Sequence, residues 1–425
     1  MINTKKIIKF FYDYLIKIIL NQLVINFINK KKILELNKVV CVPSVNTTGD
    51  ALIYYDFVKL KLKNPLVIST KNFPSDKLLP FYFKKKEFLF FENKFHSFLL
   101  NLNSYNRMNL NHFTLEILEK KLNEFKYYIK YDKDFDTVKE RYKTQEYIKL
   151  RTKDNKFLSL KLHCDLKSKK KFLFNKLNGY SNKHENELLS YFKLKKKKFV
   201  CVHIRPYPKF GPYAYNKQLE TNPRSVSQIN NYNLGFKYLL KLGIKIILMG
   251  RKDDNLDINF KDKHLIHYYK SNKQNIINDL YLVQNCSFFI GTQSGPGVIP
   301  SIMNKPTLHT NYVSFFGIFP SKYSLYLPKK YLKKNKILTL KKYFNSKYFF
   351  MENSSDFNSN GILLSDNSES EILNSIKELI KNMKKKYIHS TSRQGEFIKS
   401  LKKHNLLSFD NKIIISDDYL KKYLN

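Results

Sequence analysis

The sequence predicts an α/β fold with a parallel sheet, and three short apolar runs in its second half carry that prediction. They span residues 199–202, 244–249 and 287–290. Stretches with helical periodicity separate them, which is the pattern of consecutive βαβ units. Ligands of such sheets bind beyond the carboxyl ends of the strands. Polar or glycine-rich residues follow each run there, namely His203, Arg205, Gly250 and the loop 291–297.

Composition allows a large folded protein and argues against a nucleic-acid-binding one. The chain has 425 residues, enough for two domains, and its 43% hydrophobic and 15% aromatic content excludes a wholly disordered protein. The formal charge of +42 comes from 70 Lys and only 7 Arg. Nucleic-acid interfaces favour Arg for bidentate contacts. A solvated lysine coat is the simplest interpretation, although this charge would also attract an anionic membrane surface or phosphorylated ligands.

The scarcity of arginine makes each arginine informative. Lys, Asn, Ile, Phe and Tyr dominate the composition, as they do in proteins encoded by AT-rich genomes. Where codon usage opposes arginine, a retained arginine is a better functional candidate than a lysine. Arg205 and Arg224 are favoured on this ground.

The cysteines indicate neither a zinc site nor a disulfide framework. Cys41, Cys164, Cys201 and Cys286 are far apart and form no CxxC pair. Cysteines within or beside apolar runs pack as small hydrophobic residues. A reducing, cytosolic compartment fits this pattern.

Residues 1–32 form an apolar, lysine-flanked segment with two open interpretations. Lys17, Asn21, Gln22 and Asn26 interrupt the run, so it is a poor membrane span of ~20 apolar residues. No small-residue cleavage site follows, which argues against a signal peptide. The segment is either a helix packed on its own domain or an amphipathic segment in a membrane interface. The second alternative predicts a cytoplasmic protein, peripheral on the inner face of the cytoplasmic membrane.

The first half contains a strand–loop–helix pattern over residues 39–63. A polar loop before a helix offers backbone N–H groups to an anion or to sugar hydroxyls. Asp50 fits the helix N-cap, or a general base if the loop faces a substrate. Strands at 66–69 and 88–91 and a helix at 113–128 extend the α/β pattern. The polar loop residues are Asn46, Thr47, Thr48 and Gly49.

Further elements are predicted between and beyond the three apolar runs. The helices span 229–242, 276–285, 298–303, 369–386 and 416–424, and the strands span 264–268 and 307–310. Ser225 or Ser227 is expected to cap the helix 229–242, which Gly243 ends. A long polar loop occupies 206–222, and the Ser- and Asn-rich stretch 353–368 indicates a linker. Asp279 is expected to be a structural helix residue.

The loop 291–297, with the sequence GTQSGPG, is the most specific motif. A Gly-, Ser- and Thr-rich loop before a helix offers amides, hydroxyls and the positive end of the helix dipole. It is neither a P-loop nor a GxGxxG fingerprint, and such turns can be purely structural. With Arg205 on the neighbouring strand, the loop favours binding of a diphosphate.

Four short motifs resemble a family of bacterial cell-surface polysaccharide glycosyltransferases with GT-B architecture, distantly similar in pattern to fucosyltransferases. They are VHIR at 202–205, RSV at 224–226, ILMG at 247–250 and FFIGTQSGP at 288–296. The resemblance covers about residues 199–343. It implies two Rossmann-like domains facing a cleft, followed by C-terminal helices. The segments expected are an N-terminal segment (1–32), an acceptor-side domain (33–194), a nucleotide-sugar domain (195–345), and a linker with helices (346–425).

The chemistry of sugar transfer assigns roles to the same residues. The leaving diphosphate must be neutralised, and enzymes of this architecture typically use cationic side chains and helix N-termini rather than a bound metal. Arg205 is the expected diphosphate ligand and Arg224 a ligand for a donor phosphate or a substrate carboxylate. His203 is expected to hydrogen-bond the donor or to act as base, with Asp50 the second candidate. The expected donor-site loop residues are Gly250, Thr292, Ser294, Gly295 and Pro296.

One departure from the family pattern leaves alternatives open. An acidic residue usually follows the His-x-Arg motif, where this chain has Pro206, so the catalytic base is not assigned. The expected partners are a nucleotide-sugar donor and a glycan or lipid-linked acceptor, without a metal or other cofactor. The alternatives are a non-catalytic nucleotide-sugar or glycan-binding protein, a sugar-nucleotide epimerase, and a nucleic-acid-binding protein with strongly salt-dependent affinity.

Overall fold

The structure is a computed structural model, and the residues it describes form two compact units. It describes residues 38–41, 52, 55, 65–70, 77–84, 88–91, 181–206, 223–252, 254, 256, 258–313, 321, 323–346, 348, 351, 354–385, 391–402 and 414–425. The described residues up to Phe91 belong to the first unit, and those from Ser181 onward to the second. The four segments predicted from the sequence stay predictions.

The first unit contains a small parallel sheet and one short helix. Strands β1 (Lys38–Cys41), β2 (Pro65–Thr70) and β3 (Phe88–Phe91) pair in that order, which confirms the three predicted strands. Helix α1 (Leu79–Tyr82) begins at a proline-containing turn. The segment 1–32, the helix predicted at 113–128, Asp50 and the loop residues Asn46, Thr47, Thr48 and Gly49 lie outside the described residues.

The second unit is built on a six-stranded parallel sheet, which confirms the predicted α/β class. Its strands are β4 (Phe199–His203), β5 (Lys245–Met249), β6 (Leu265–Ile266), β7 (Phe289–Gly291), β8 (Thr307–Tyr312) and β9 (Leu325–Pro328). Helices α2 (Asn182–Tyr191), α3 (Asn233–Lys241), α4 (Ile276–Asn285) and α5 (Val298–Ile302) accompany them. Parallel strands are covered on both faces, so their sequences are continuously apolar. Every residue of β4 is buried for this reason.

The order of these strands places a topological switch point at the centre of the sheet. The order is β6-β5-β4-β7-β8-β9, which is the 3-2-1-4-5-6 order of a doubly wound nucleotide-binding sheet. The chain builds outward from β4 through β5 and β6, then returns to place β7 on the other side of β4. This reversal creates a topological switch point between β4 and β7, where ligands of such sheets bind.

A second, antiparallel sheet and five helices complete this unit. Strands β10 (Lys330–Lys333), β11 (Lys336–Ile337) and β12 (Ile362–Ser365) pair in the order β11-β10-β12. The helices are α6 (Leu340–Phe344), α7 (Ser354–Ser359), α8 (Glu369–Lys385), α9 (Ser392–Lys402) and α10 (Asp417–Tyr423). The linker predicted over 353–368 is wrong, because α7 and β12 occupy it. Phe357 and Ile362 are both buried and anchor these two short elements to the core.

The ends of the helices agree with the predictions only in part. The helix predicted at 229–242 begins with a 3₁₀ turn, Ile229–Tyr232, and continues as α3. Gly243 follows α3 at φ +71°, in the left-handed conformation expected of a terminating glycine. The capping role of Ser227 is wrong, because its hydroxyl binds Asp366 instead. Helix α8 starts with a capping box in which Glu371 N donates to Ser368 Oγ and Ser368 N donates to Glu371 Oε2.

Two further predictions concern the cysteines and membrane crossing. Cys201 and Cys286 are free and buried, as expected of cysteines that pack as small hydrophobic residues. Within the described part of the chain, no helix combines the length and apolar character needed to cross a bilayer.

Candidate functional site

The register of the central strands brings the predicted residues to one edge of the sheet. His203 at the end of β4 pairs with Met249 of β5 on one side and with Gly291 of β7 on the other. The residues that follow these three positions therefore emerge side by side at the switch point. Arg205, Gly250 and the loop 292–297 meet there, which is the convergence that the sequence predicts.

The loop 292–297 is fastened to the end of β4 by three hydrogen bonds. Thr292 N donates to the carbonyl oxygen of His203 at 3.0 Å, and Arg205 N donates to Thr292 Oγ1 at 3.0 Å. Ser294 Oγ lies 3.0 Å from His203 Nδ1. Thr292 is completely buried, so its side chain holds the loop against β4 and does not face solvent.

The same loop folds back tightly on itself before α5. Gly297 N donates to Ser294 O, and Val298 N donates to Gly295 O, both at 3.1 Å. A Cβ on Gly297 would lie 3.0 Å from Thr292 O and 3.2 Å from Ser294 O, tighter than most Cβ contacts in proteins. These amides are engaged within the loop, and α5 has only five residues. A helix this short has a weak dipole, so α5 contributes less positive potential than the sequence suggests. An anion at this edge of the sheet would therefore be bound mainly by side chains.

Three arginines supply that positive charge from three separate segments. Val226 N donates to Arg205 O at 2.8 Å, and Pro206 and Val226 form a parallel bridge, so Arg224 emerges next to Arg205. Arg251 follows β5 at the position that corresponds to Arg205 after β4. Burial, together with repulsion from Arg224 and Arg251, lowers the pKa of Arg205 to about 10. Two of the other six arginines in the chain thus lie close enough to Arg205 to repel it.

Arg251 was not among the predicted site residues, although its position and residue type could have indicated it. It follows a predicted strand directly after Gly250 and is as rare a residue as Arg205. Its guanidinium is mostly exposed and lies 3.6 Å from Asp254, measured from Nε to Oδ1. Arg251 N also donates to Asp254 Oδ2 at 2.7 Å. A Cβ on Gly250 would lie 2.8 Å from that same oxygen, so glycine permits this close turn.

His203 is buried as a neutral imidazole. Burial, together with the positive charges of Arg205 and Arg251, lowers its pKa to about 3. A group with this pKa binds a proton only weakly at neutral pH. His203 is therefore better suited to orienting Ser294 and to hydrogen bonding than to removing a proton.

A buried ion pair fixes the segment that carries Arg224. Lys329 Nζ lies 2.7 Å from Asp366 Oδ1 and donates to Ser225 O at 2.6 Å. Asp366 Oδ2 accepts from Ser227 N, Ser227 Oγ and Gln228 N at 2.8, 2.9 and 2.9 Å. Burial alone raises the pKa of Asp366, but Lys329 and these hydrogen bonds hold it below its usual value. We call Asp366, Lys329, Ser225, Ser227 and Gln228 the Asp366 network.

Asp279 is a structural residue of a helix, as predicted. It lies in the first turn of α4, where Tyr268 donates its hydroxyl to Asp279 Oδ1 at 2.8 Å. Burial raises the pKa of Asp279 to about 7. As for metal ions, the described residues contain no group of three His, Cys, Asp or Glu side chains placed to hold one.

Comparisons with known proteins add a likeness of fold and no more. No family model matches the chain, and no curated protein matches it. A glycosyl transferase family 9 protein from Veillonella parvula DSM 2008 matches over 69% of this chain and 86% of its own, at 9% identity and a TM-score of 0.44. The ADP-heptose LPS heptosyltransferase II of E. coli matches over 64% of this chain and 84% of its own, at 14% identity and a TM-score of 0.36. At this level of similarity, function must be argued from the site itself.

Proposed function

We propose that this protein is a glycosyltransferase that moves a sugar from a nucleotide-sugar donor to a polysaccharide or lipid-linked glycan acceptor. The observation that carries the proposal is the convergence of Arg205, Arg224 and Arg251 at the topological switch point of a doubly wound sheet. Such a switch point is where nucleotides bind. Three cations there match a ligand that carries at least two negative charges.

The reaction explains why that charge is needed. The bond between the anomeric carbon and the diphosphate oxygen breaks, and the nucleoside diphosphate leaves with the electron pair. An acceptor hydroxyl oxygen forms the new bond to the anomeric carbon, and its proton passes to a base. Cationic side chains that face the leaving group stabilise the charge that develops on it. Arginine forms bidentate hydrogen bonds with phosphate oxygens, so no metal ion is required by this proposal.

Each residue has a distinct role in this proposal. Arg205 binds the diphosphate, and Arg224 binds a donor phosphate or a substrate carboxylate. Ser294, Gly295 and Pro296 form the wall of the donor site, and His203 is a positioning residue that acts through Ser294. Asp50 is the candidate base, with the acceptor next to the loop that contains Asn46, Thr47, Thr48 and Gly49.

The first test is a donor-binding panel on wild type, Arg205→Ala and Arg393→Ala. Nucleotide sugars and free nucleotides are screened by thermal shift, and the ligands that bind are measured by calorimetry. Arg393 pairs with Asp417 in the C-terminal helices and is the matched control. We expect one class of nucleoside diphosphate to bind wild type and Arg393→Ala, and to bind Arg205→Ala at least tenfold more weakly.

Turnover is then measured as release of free nucleoside diphosphate in the presence of glycan acceptors. Sugar transfer that is lost in Arg205→Ala supports the proposal. Binding without transfer to any acceptor would favour the non-catalytic alternative. Equal binding by wild type and Arg205→Ala, or no binding at all, would refute the assignment of the site.

A further inference from the structure

The hairpin formed by β10 and β11 has an apolar outer face. Lys334 and Asn335 connect the two strands at φ +49° and +59°, the left-handed pair required by a two-residue hairpin turn. Leu332 lies opposite Ile337 on one side and opposite Leu363 of β12 on the other. Directly opposed residues of antiparallel strands share a face. We call Leu332, Ile337 and Leu363 the hairpin face.

These three aliphatic side chains occupy positions where polar ones are expected. Tyr331 and Ile362, which alternate with them, are each 1% exposed and pack into the core. The outer face of an antiparallel sheet is normally polar when its inner face covers a core. Here Ile337 is 43% exposed and Leu363 is 59% exposed. Of the large hydrophobic residues exposed within the described chain, these two are brought together by strand pairing.

The hairpin and α6 carry charge of a single sign, and two of the acidic residues that flank β12, Asp366 and Glu371, are paired with Lys329 and Lys330. Residues 329–351 contain eight lysines and no Asp or Glu. Lys330 and Lys333 turn to Glu371 and Tyr348, respectively. Within the described part of this stretch, the exposed lysines lie at the hairpin tip and on α6, namely Lys334, Lys336, Lys341 and Lys342.

The hairpin lies at the sheet edge that carries the candidate site. All six strands of the central sheet are parallel, so β9 ends at the same edge as β4 and β7. Only Lys329 separates β9 from β10, and its side chain contacts Ser225, the neighbour of Arg224.

We propose that the hairpin face docks on an anionic lipid bilayer. Exposed aliphatic side chains enter the interface between headgroups and acyl chains, while the surrounding lysines bind anionic headgroups. A second copy of the chain is a poor occupant, because two lysine-rich faces repel each other. This contact is separate from the one that the sequence suggests for residues 1–32, and it does not depend on the proposed reaction. It would hold the switch point next to membrane-embedded acceptors.

The test is sedimentation of the full-length protein with vesicles. Phosphatidylcholine vesicles with and without 30% phosphatidylglycerol, about one anionic lipid in three, provide the anionic and neutral surfaces. Wild type is compared with Lys334→Gln/Lys336→Gln and with Ile337→Thr/Leu363→Thr, since threonine preserves strand propensity. The lysine variant should lose about fivefold in partitioning per lysine removed. The partitioning of the threonine variant onto anionic vesicles should fall by a similar factor.

Matched controls lie at the opposite edge of the sheet. Leu242 is 45% exposed, against 43% for Ile337, and precedes β5, so Leu242→Thr controls for Ile337→Thr. Lys195→Gln/Lys198→Gln controls for the lysine pair, because both residues precede β4. Unchanged thermal midpoints and nucleotide binding would establish that each variant is folded.

The outcomes separate the alternatives. Loss of anionic-vesicle binding in the hairpin variants, with wild-type binding in the controls, supports the proposal. Equal loss in both sets would assign binding to a diffuse lysine coat and overturn it. Absence of vesicle binding by wild type, or wild-type binding by the hairpin variants, would also overturn it. A dimer abolished by Ile337→Thr/Leu363→Thr would identify a second copy as the occupant instead.

Discussion

Arg224 and Arg251 both repel Arg205, and that repulsion is a property of the unliganded protein. Burial is the larger cause of the lowered pKa of Arg205, and its two neighbours add to it. Bringing like charges together raises the energy of the unliganded protein, and a bound anion relieves it. Under the proposed function, the cluster suits a polyanionic group better than a single carboxylate.

The loss of donor affinity on replacing each arginine should depend on how far its guanidinium is buried. Arg205→Ala removes a partly buried guanidinium, and we expect a loss of donor affinity of about 30-fold or more. Arg251→Ala removes an exposed one, and we expect about a fivefold loss. Arg205→Lys should not restore affinity, because lysine keeps the charge but lacks the planar fork. Calorimetry of the donor would test this order, and a larger effect at Arg251 would contradict it.

Asp279 should make stability depend on pH in the neutral range. Its pKa is about 7 in the folded protein against 3.8 for an ordinary aspartate. The folded state therefore holds the proton more tightly. The contribution is fully present below about pH 4 and is lost as pH rises through 7. At about 1.4 kcal/mol per pKa unit, the free energy of unfolding should fall by up to about 4 kcal/mol towards pH 8.

Urea unfolding of wild type and Asp279→Asn between pH 5 and 8 tests this expectation. The asparagine variant should show a flatter pH profile, since its side chain does not ionise. Asp262→Asn replaces an exposed aspartate and is the control. Parallel profiles for wild type and Asp279→Asn would show that Asp279 is not the responsible group.

Replacing Gly297 and Gly395 by alanine should change the free energy of unfolding in opposite directions. A Cβ on Gly297 would meet two backbone oxygens of the loop, whereas one on Gly395 in α9 would meet nothing within 4 Å. We expect Gly297→Ala to cost about 1–3 kcal/mol of unfolding free energy through strain. Gly395→Ala should stabilise by up to about 1 kcal/mol, because alanine favours a helix. Denaturant titration distinguishes the signs, and equal effects would refute the tight geometry of the loop.

The Asp366 network joins β12 and the β9–β10 connection to the segment after Arg224. Asp366→Asn would leave the ammonium of Lys329 buried without its carboxylate. Breaking a buried pair in this way costs about 3–5 kcal/mol. Ser227→Ala removes one hydrogen bond and should cost about 1 kcal/mol. Unfolding by urea gives both values.

The coupling of this network to Arg224 can be measured separately. If the network orients Arg224, Ser227→Ala should weaken donor binding in wild type but not in an Arg224→Ala background. Ser287→Ala, at the amino-terminal end of β7, is a control that removes a hydroxyl bonded to Lys197 O. An equal loss in both backgrounds would indicate a purely structural role.

Features that depend on residues close together in the sequence were predictable. Features that depend on contacts between distant residues were not. The run 199–203 is continuously apolar because β4 is buried on both faces, so the strand and its polar end were predictable. The glycine loop and Arg205 follow adjacent strands and were expected to meet. The bond between Ser227 and Asp366 spans 139 residues and leaves no local pattern. Helix α7 and strand β12 are short and stabilised by tertiary packing of Phe357 and Ile362, which a polar composition conceals.

With a net charge of +42, the protein is expected to bind anions in two ways that differ in their dependence on salt. Diffuse attraction of a polyanion by lysines depends on counterion release and collapses as salt rises. Donor binding by the partly buried Arg205 is screened much less. Raising salt from about 50 to 300 mM should therefore reduce affinity for single-stranded DNA by at least 100-fold, and donor affinity by less than tenfold. Fluorescence anisotropy measures both, and tight DNA binding at high salt would revive the nucleic-acid alternative.

The outer edge of the central sheet is completed by residues far along the chain. Ile415 bridges Tyr326 of β9, with Tyr326 N donating to Ile414 O and Ser416 N donating to Tyr326 O. During translation, β9 emerges from the ribosome long before this partner exists. Its hydrogen-bonding groups remain open to other nascent chains until the last helix is made. Synthesis of this protein thus has a vulnerable interval, and a chaperone that shields β9 during it would raise the yield of folded chains.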